Sequence, residues 1–215
     1  RLSSGGWRIG FASLRRRSGA TLAQIVALSL GLTTLLLLTL AKNDLLAAWQ
    51  ARMPADAPNR FLINIQPEQL PAITEFFTRA GLSAPRLEPM VRGRLTSVNG
   101  QAVAPRDYAD DRARRLVERE FNLSSRNDLP AGNSLIAGRW HAAGGAMQFS
   151  VEKGLADTLG LKLADELGFE VAGQRFSGPV TSLRKLDWDS MRVNFFVIAP
   201  EGALAGQPTS YITSF

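Results

Sequence analysis

Thr21–Ala41 reads TLAQIVALSLGLTTLLLLTLA, an uncharged run that directly follows Arg15-Arg16-Arg17 and Ser18-Gly19-Ala20. At ~1.5 Å of rise per residue a helix of this length is about 31 Å long, matching the ~30 Å hydrocarbon core that a spanning helix has to cross. Inside lipid no water reaches the backbone, so only a segment that satisfies its own amides crosses, and an α-helix does so. A secretory signal would also place basic residues before an apolar core, but that core is usually about 7 to 15 residues and ends at a small-residue cleavage site. The sequence therefore predicts a membrane anchor. With no Met at position 1 and an apolar TSYITSF at the other end, the stretch reads as a piece of a longer protein.

Flanking charge sets the expected orientation. Arg1, Arg8, Arg15, Arg16 and Arg17 precede the run with no acid among them, whereas Lys42, Asp44 and Arg52 are mixed beyond it. The excess of arginine puts the N-terminal side in the cytoplasm and the bulk of the chain outside. The same residues explain the basic balance: of 25 Lys and Arg, five precede the span, leaving 20 against 19 acids. That near-neutral remainder is no nucleic-acid footprint. Cysteine is absent, which suits an oxidising envelope compartment.

Between residues 5 and 16, Trp7, Phe11 and Leu14 fall at helical spacing with arginines between them, so residues 1–18 read as a cytoplasmic amphipathic helix lying in the interface. Within the span, Gln24, Ala27, Gly31 and Thr34 make a small, weakly polar stripe, the kind of face on which another helix packs; a lone anchor is the alternative. The helical pattern continues through NDLLAAWQAR to Arg52 before Met53-Pro54, so residues 19–52 are expected to form a span and stalk. Residues 53–215 are expected to form the outer domain.

That domain opens as β-α-β. Residues 60–66 alternate as a strand, 67–80 read as a helix with Leu70, Ile73, Phe76 and Phe77 inward, and 86–98 are extended up to an Asn99-Gly100 turn. Residues 104–134 are polar and turn-rich, with Asp107, Asp110, Asp111, Arg112, Arg114, Arg115 and Arg119. Strands are expected at 119–124, 134–140, 167–171, 175–183, 193–199 and 209–215, with a short helix at 152–159 closed by Gly160. The fold class is α+β: one N-terminal transmembrane helix with a stalk, then a mixed α/β domain.

Chemistry finds little to hold. The only histidine, His141, has neither a cysteine nor a second histidine for a metal site and reads as a loop or surface residue. Asp187 and Asp189, two apart, would share one side of a strand, but without a base, nucleophile or metal partner they read as a solvated or Arg-paired loop. Ser124, Ser125 and Ser190 lack a G-x-S-x-G elbow. Leu2-Ser3-Ser4-Gly5-Gly6 departs from the LSGGQ signature, and no phosphate loop is present. No catalytic, cofactor-binding or metal residues are therefore assigned. Trp140, Trp188, Phe195 and Phe196 read as core, with an apolar groove as the alternative.

The order of basic segment, span, stiff extension, β-α-β piece and β-rich piece resembles the MacB/FtsX-like permeases of ABC transporters. Asp56–Ile65, Arg119–Ser124, Gly138-Arg139-Trp140, Leu159-Gly160-Leu161 and Leu183–Phe196 (LRKLDWDSMRVNFF) sharpen the resemblance to YbbP-type permeases, from about Gly19 onward. The resemblance implies a bacterial inner-membrane permease with a periplasmic core domain, made of a porter-like β-α-β piece and a β-rich sabre-like piece, from the second of two repeated halves. It further implies a separate cytoplasmic ABC ATPase dimer as partner, other transmembrane helices of the same permease, membrane lipids and a lipid-like or hydrophobic cargo. The runner-up is a membrane-anchored sensor or scaffold whose outer domain binds a periplasmic protein; nucleic acid is not an expected partner.

Overall fold

The computed structural model describes residues 18–52 and 57–215. The expected interfacial helix of residues 1–18, its arginines and the Met53-Pro54 break lie outside the described residues. Two compact units divide between Met53 and Pro54.

The first unit is helix α1, Ser18–Arg52, of 35 residues. No proline interrupts it and leucine dominates its centre, so its backbone amides close on themselves throughout the apolar run. Thr34 and Thr39 donate their hydroxyls to the carbonyls of Leu30 and Leu35, both at 2.8 Å. These two hydroxyls are thus satisfied inside their own helix, which lowers their cost in hydrocarbon. Thr34, part of the expected packing stripe, spends its donor inside the helix and keeps its acceptor lone pairs. Thr21–Ala48 is long and apolar enough to cross a membrane.

The second unit starts with β1 (Phe61–Ile65), a 3-10 turn at Pro67–Gln69, α2 (Leu70–Arg79) and β2 (Glu88–Val98). The last strand, β10 (Thr209–Ser214), runs antiparallel to both β1 and β2 and lies between them. Strands β1 and β2 are therefore parallel, joined by α2 and split by β10. The expected β-α-β opening is present. One element of that reading is corrected: Phe77 is buried against the sheet, but Phe76 faces outward with 63% of its surface exposed. Adjacent positions on a helix lie about 100° apart, so a single narrow contact with the sheet takes one ring and leaves the other.

Between β2 and β10 come β3 (Gln101–Ala102), α3 (Asp111–Glu118), β4 (Phe121–Ser125), β5 (Asn133–Gly138), β6 (Phe149–Glu152), α4 (Lys153–Leu159), β7 (Glu166–Val171), β8 (Gln174–Leu186) and β9 (Val197–Ala199). Two long strands organise them. The first half of β2 pairs with β4 and its second half with β7; the first half of β8 pairs with β7 and its second half with β6. Since β9 joins β4 to β6, the pairing closes a circuit β2-β4-β9-β6-β8-β7 that returns to β2. Closure removes free edges from those strands. Phe121, Phe149 and Phe169 fill the core beside this circuit, with Phe169 edge-on to Phe149 at 5.2 Å and to Phe121 at 6.3 Å. Each buried ring contributes on the order of 2–3 kcal/mol of transfer free energy.

Helix α3 was not foreseen. Asp110 caps it by accepting from the Ala113 amide at 3.1 Å, and only Ala113 and Val117 are buried, so its three arginines gave it the look of a polar loop. Strand β6 escaped for the opposite reason: all four residues are buried, so no alternation marks it. The expected strand over 193–199 shortens to Val197–Ala199. Helix α4 is capped by Glu152, which accepts from the Gly154 and Leu155 amides, and ends where Gly160 adopts the left-handed conformation, as the sequence indicated.

Candidate functional surfaces

The residues weighed for chemistry are not assembled into a reacting group. Ser124 donates its hydroxyl to the Pro89 carbonyl at 2.7 Å and Ser190 donates to the Asp187 carbonyl at 2.6 Å. Asp187 and Asp189 do not share a strand face, because residues 188–190 form a 3-10 turn that Asp187 caps by accepting from the Asp189 amide. Trp188 is 54% exposed and Phe195 is buried, so the four aromatics form neither one groove nor one core.

His141 is in a loop, but the surface alternative is wrong: the residue is buried. Its Nε2 lies 2.6 Å from the Arg126 carbonyl, which can only accept, so the ring donates from Nε2 and keeps Nδ1 as a bare acceptor. Nδ1 is buried without a hydrogen-bond partner. Protonation would place an unpaired donor there, and burial first, with the Arg184 charge adding, holds the pKa below its usual value against the favourable Arg126 carbonyl. Trp140 stacks on the ring at 4.2 Å and donates from Nε1 to the Asn127 carbonyl. Two consecutive rings thus clamp two consecutive carbonyls of the loop after β4.

That loop carries an ion network. Arg86 grips Asp128 with both Nη atoms at 2.9 and 2.8 Å, Arg126 reaches Asp128 at 2.6 Å and Glu88 at 3.2 Å, and Arg86 also meets Glu88 at 3.2 Å. The hydrogen bond from Arg86, then that from Arg126, holds the Asp128 carboxyl far below its usual range. Glu88 shifts upward instead, because burial outweighs its two arginine neighbours. With Leu129, Pro130 and Arg192 these groups line a cavity of about 440 Å³. Its charges are largely matched internally.

Arg184 is the largest fully buried side chain. It stands on β8 in phase with Val180 and Leu186, and its donors reach Ser150 Oγ at 3.1 Å, Asn133 Oδ1 at 2.6 Å and the Phe195 carbonyl at 2.6 Å. Burial lowers its pKa to about 9, opposed by Glu152 and reinforced by Arg126, so it stays charged at neutral pH. Sequence reading missed this residue, although its phase within the strand was a usable signal.

A different surface lies beside β1, at one end of the sheet. Phe61, Ile63 and Phe76 are half or more exposed, and Ile63 and Phe76 join Leu62, Ile73, Phe77 and Phe215 in lining an apolar groove of about 560 Å³. Phe215 packs edge-on to Phe77 at 4.8 Å.

No family model matches the chain. Along 208 residues, 97% of its length, it is 41% identical to an uncharacterised ABC transporter permease, YbbP, of Escherichia coli K12. The chain is similar to part of an ABC transporter permease. It spans 25% of that relative's length, and the permease similarity takes in both the apolar helix and the sheet domain. Of the strings that suggested a permease in the sequence, Leu183–Phe196 starts in β8 and contains the buried Arg184 and Phe195.

Proposed function

We propose that this chain is the part of a permease subunit that carries movement between a cytoplasmic ATPase and a domain on the far side of the membrane. The observation that carries the reading is the 41% identity to a permease along 97% of the chain. The length of α1 supports it: 35 residues make about 52 Å at ~1.5 Å per residue, some 20 Å more than a hydrocarbon core needs. In this reading residues 1–18 belong to the cytoplasmic side, 19–52 are the span and stalk, and 53–215 a periplasmic MacB-like core domain. Within it β1, α2, β10 and the start of β2 make the porter-like piece, and the closed circuit, which takes in the rest of β2, makes the sabre-like piece.

In this reading the subunit performs no catalysis. A separate ABC ATPase dimer in the cytoplasm hydrolyses ATP, further helices of the permease pack beside α1 in the bacterial inner membrane, and the work goes into export or extraction of a lipid-like or hydrophobic substrate. A helix suits the transmitting role because its hydrogen bonds make it stiff over tens of ångströms, where a flexible linker would dissipate the stroke. Affinity purification of the full-length protein tests the reading: an ATPase with a Walker motif should accompany it. A partner-free protein, with no phenotype on ATPase deletion, contradicts it.

The open apolar groove beside β1 supports a second reading, a membrane-anchored sensor or scaffold that binds an envelope protein. Under that reading the function survives loss of the ATPase.

A further inference from the structure

Helix α3 carries Arg112, Arg114 and Arg115, and Arg119 follows at its C-cap. Four guanidinium groups so close together repel one another unless something answers the charge. Arg114 is answered: it donates to the carbonyls of Tyr108 and Ala109 at 2.9 and 2.8 Å and pairs with Asp111 at 3.3 Å. Among the described residues, Arg112 and Arg115 have no hydrogen bond or ion pair. Arg119 meets only aromatic faces, with its guanidinium 5.7 Å from the Phe196 ring and 5.9 Å from the Phe121 ring.

The three without acidic partners share one hollow. Arg112, Arg115 and Arg119 line a pocket of about 380 Å³ whose remaining walls are Leu116, Leu155 and Phe196, with no acidic residue in the lining. We propose that this pocket binds a phosphate group carried on an apolar body. The guanidinium forks match a phosphate, which offers more acceptor oxygens and more charge than a carboxylate, and the two leucines with Phe196 receive the apolar part. The volume fits a small molecule or a lipid fragment, whereas a protein partner would call for roughly 800 Å² of surface per side. The site is separate from the ion network of Arg86, Glu88, Arg126 and Asp128, and the inference does not depend on the transport reading.

Trp188 lies against Phe196, with ring centroids 5.7 Å apart, and supplies a local reporter. The test titrates the full-length protein in neutral phosphatidylcholine nanodiscs with dihexanoyl phosphatidic acid, inorganic phosphate, dihexanoyl phosphatidylcholine and a Glu/Phe-rich peptide. Binding is followed by calorimetry and by the fluorescence change that is lost in Trp188→Phe. Saturable binding of the phosphatidic acid is expected, at least tenfold tighter than inorganic phosphate, with each of Arg112→Gln and Arg115→Gln weakening it by about tenfold. Arg115→Lys, which keeps the charge without the fork, should fall between. An unchanged melting temperature in the Gln variants separates lost binding from lost folding. Equal binding of inorganic phosphate, equal binding of the zwitterionic lipid, preference for the peptide, or undiminished binding by the variants would each overturn the proposal.

Discussion

Arg184 donates from Nη2 to the Phe195 carbonyl at 2.6 Å, tying β8 to the segment that leads into β9 across the β-rich half of the domain. A buried charge held by neutral acceptors is stable only while every donor is used, so this bond belongs with those to Ser150 and Asn133 as one unit.

Arg184→Met removes the charge but strands the Asn133 and Phe195 oxygens. Because unsatisfied buried groups cost about 1–3 kcal/mol each, the loss should be roughly 3 kcal/mol, read as a fall in melting temperature of about 10 °C. Arg184→Lys should lie between, since an ammonium cannot reach three separated acceptors. An unshifted melting curve for the Met variant contradicts the role given to the network.

His141 makes stability depend on pH in a definite direction. Its folded pKa is lowered, so the unfolded chain takes up the proton first as pH falls. The stabilisation it provides is complete above about pH 6.5, the unfolded value, and is lost progressively toward the lowered folded value. Glu88, whose pKa is raised by burial, acts in the opposite sense, so the comparison needs a variant. Melting temperatures at pH 7.5 and 5.5 should drop more for the native protein than for His141→Gln, which keeps a donor for the Arg126 carbonyl. Equal drops would show that His141 does not titrate as described.

Gly138 and Gly160 separate two reasons for glycine. Both have positive φ, 77° and 71°, but a Cβ at Gly138 would sit 2.2 Å from the Thr181 carbonyl oxygen, whereas nothing lies within 4 Å of one at Gly160. Gly160→Ala should cost about 1 kcal/mol of backbone strain, and Gly138→Ala roughly 2–4 kcal/mol because β5 must also move off β8. Denaturant midpoints rank the two; equal costs would contradict the close approach.

What was legible followed from periodicity and from punctuation by turns. The apolar run from Thr21, the strand before Pro67 and the Gly160 stop each rest on local rules, and the structure carries all three, although in β1 only Ile65 is buried. The closed strand circuit was not legible, since it depends on β2 and β8 each changing partners halfway along, and although Gly93 and Gly178-Pro179 stand at the two exchanges, neither mark says which strand comes next. The ion network joins residues as far apart as Arg86 and Asp128, and the arginine pocket needs α3 to be seen as a helix, which its composition concealed.

The stiffness of α1 is testable through coupling. Insertion of a flexible Gly-Ser stretch near Ala47, within the helix but close to its C-terminal end, should abolish transport by the assembled permease while leaving hydrolysis by the ATPase largely intact. Transport unchanged by the insertion would refute the transmitting role.

The central claim is that α1 crosses the bilayer and leaves the sheet domain on the side away from the arginine-rich end. The absence of cysteine from this stretch makes the measurement direct. In the full-length protein, with any cysteines elsewhere replaced, Ser177→Cys at an exposed position of β8 and Ser3→Cys before the span are treated in spheroplasts with a membrane-impermeant maleimide. The account predicts rapid labelling at position 177 and labelling at position 3 only after the membrane is opened; equal labelling of both in intact spheroplasts, or protection of position 177 alone, would contradict it.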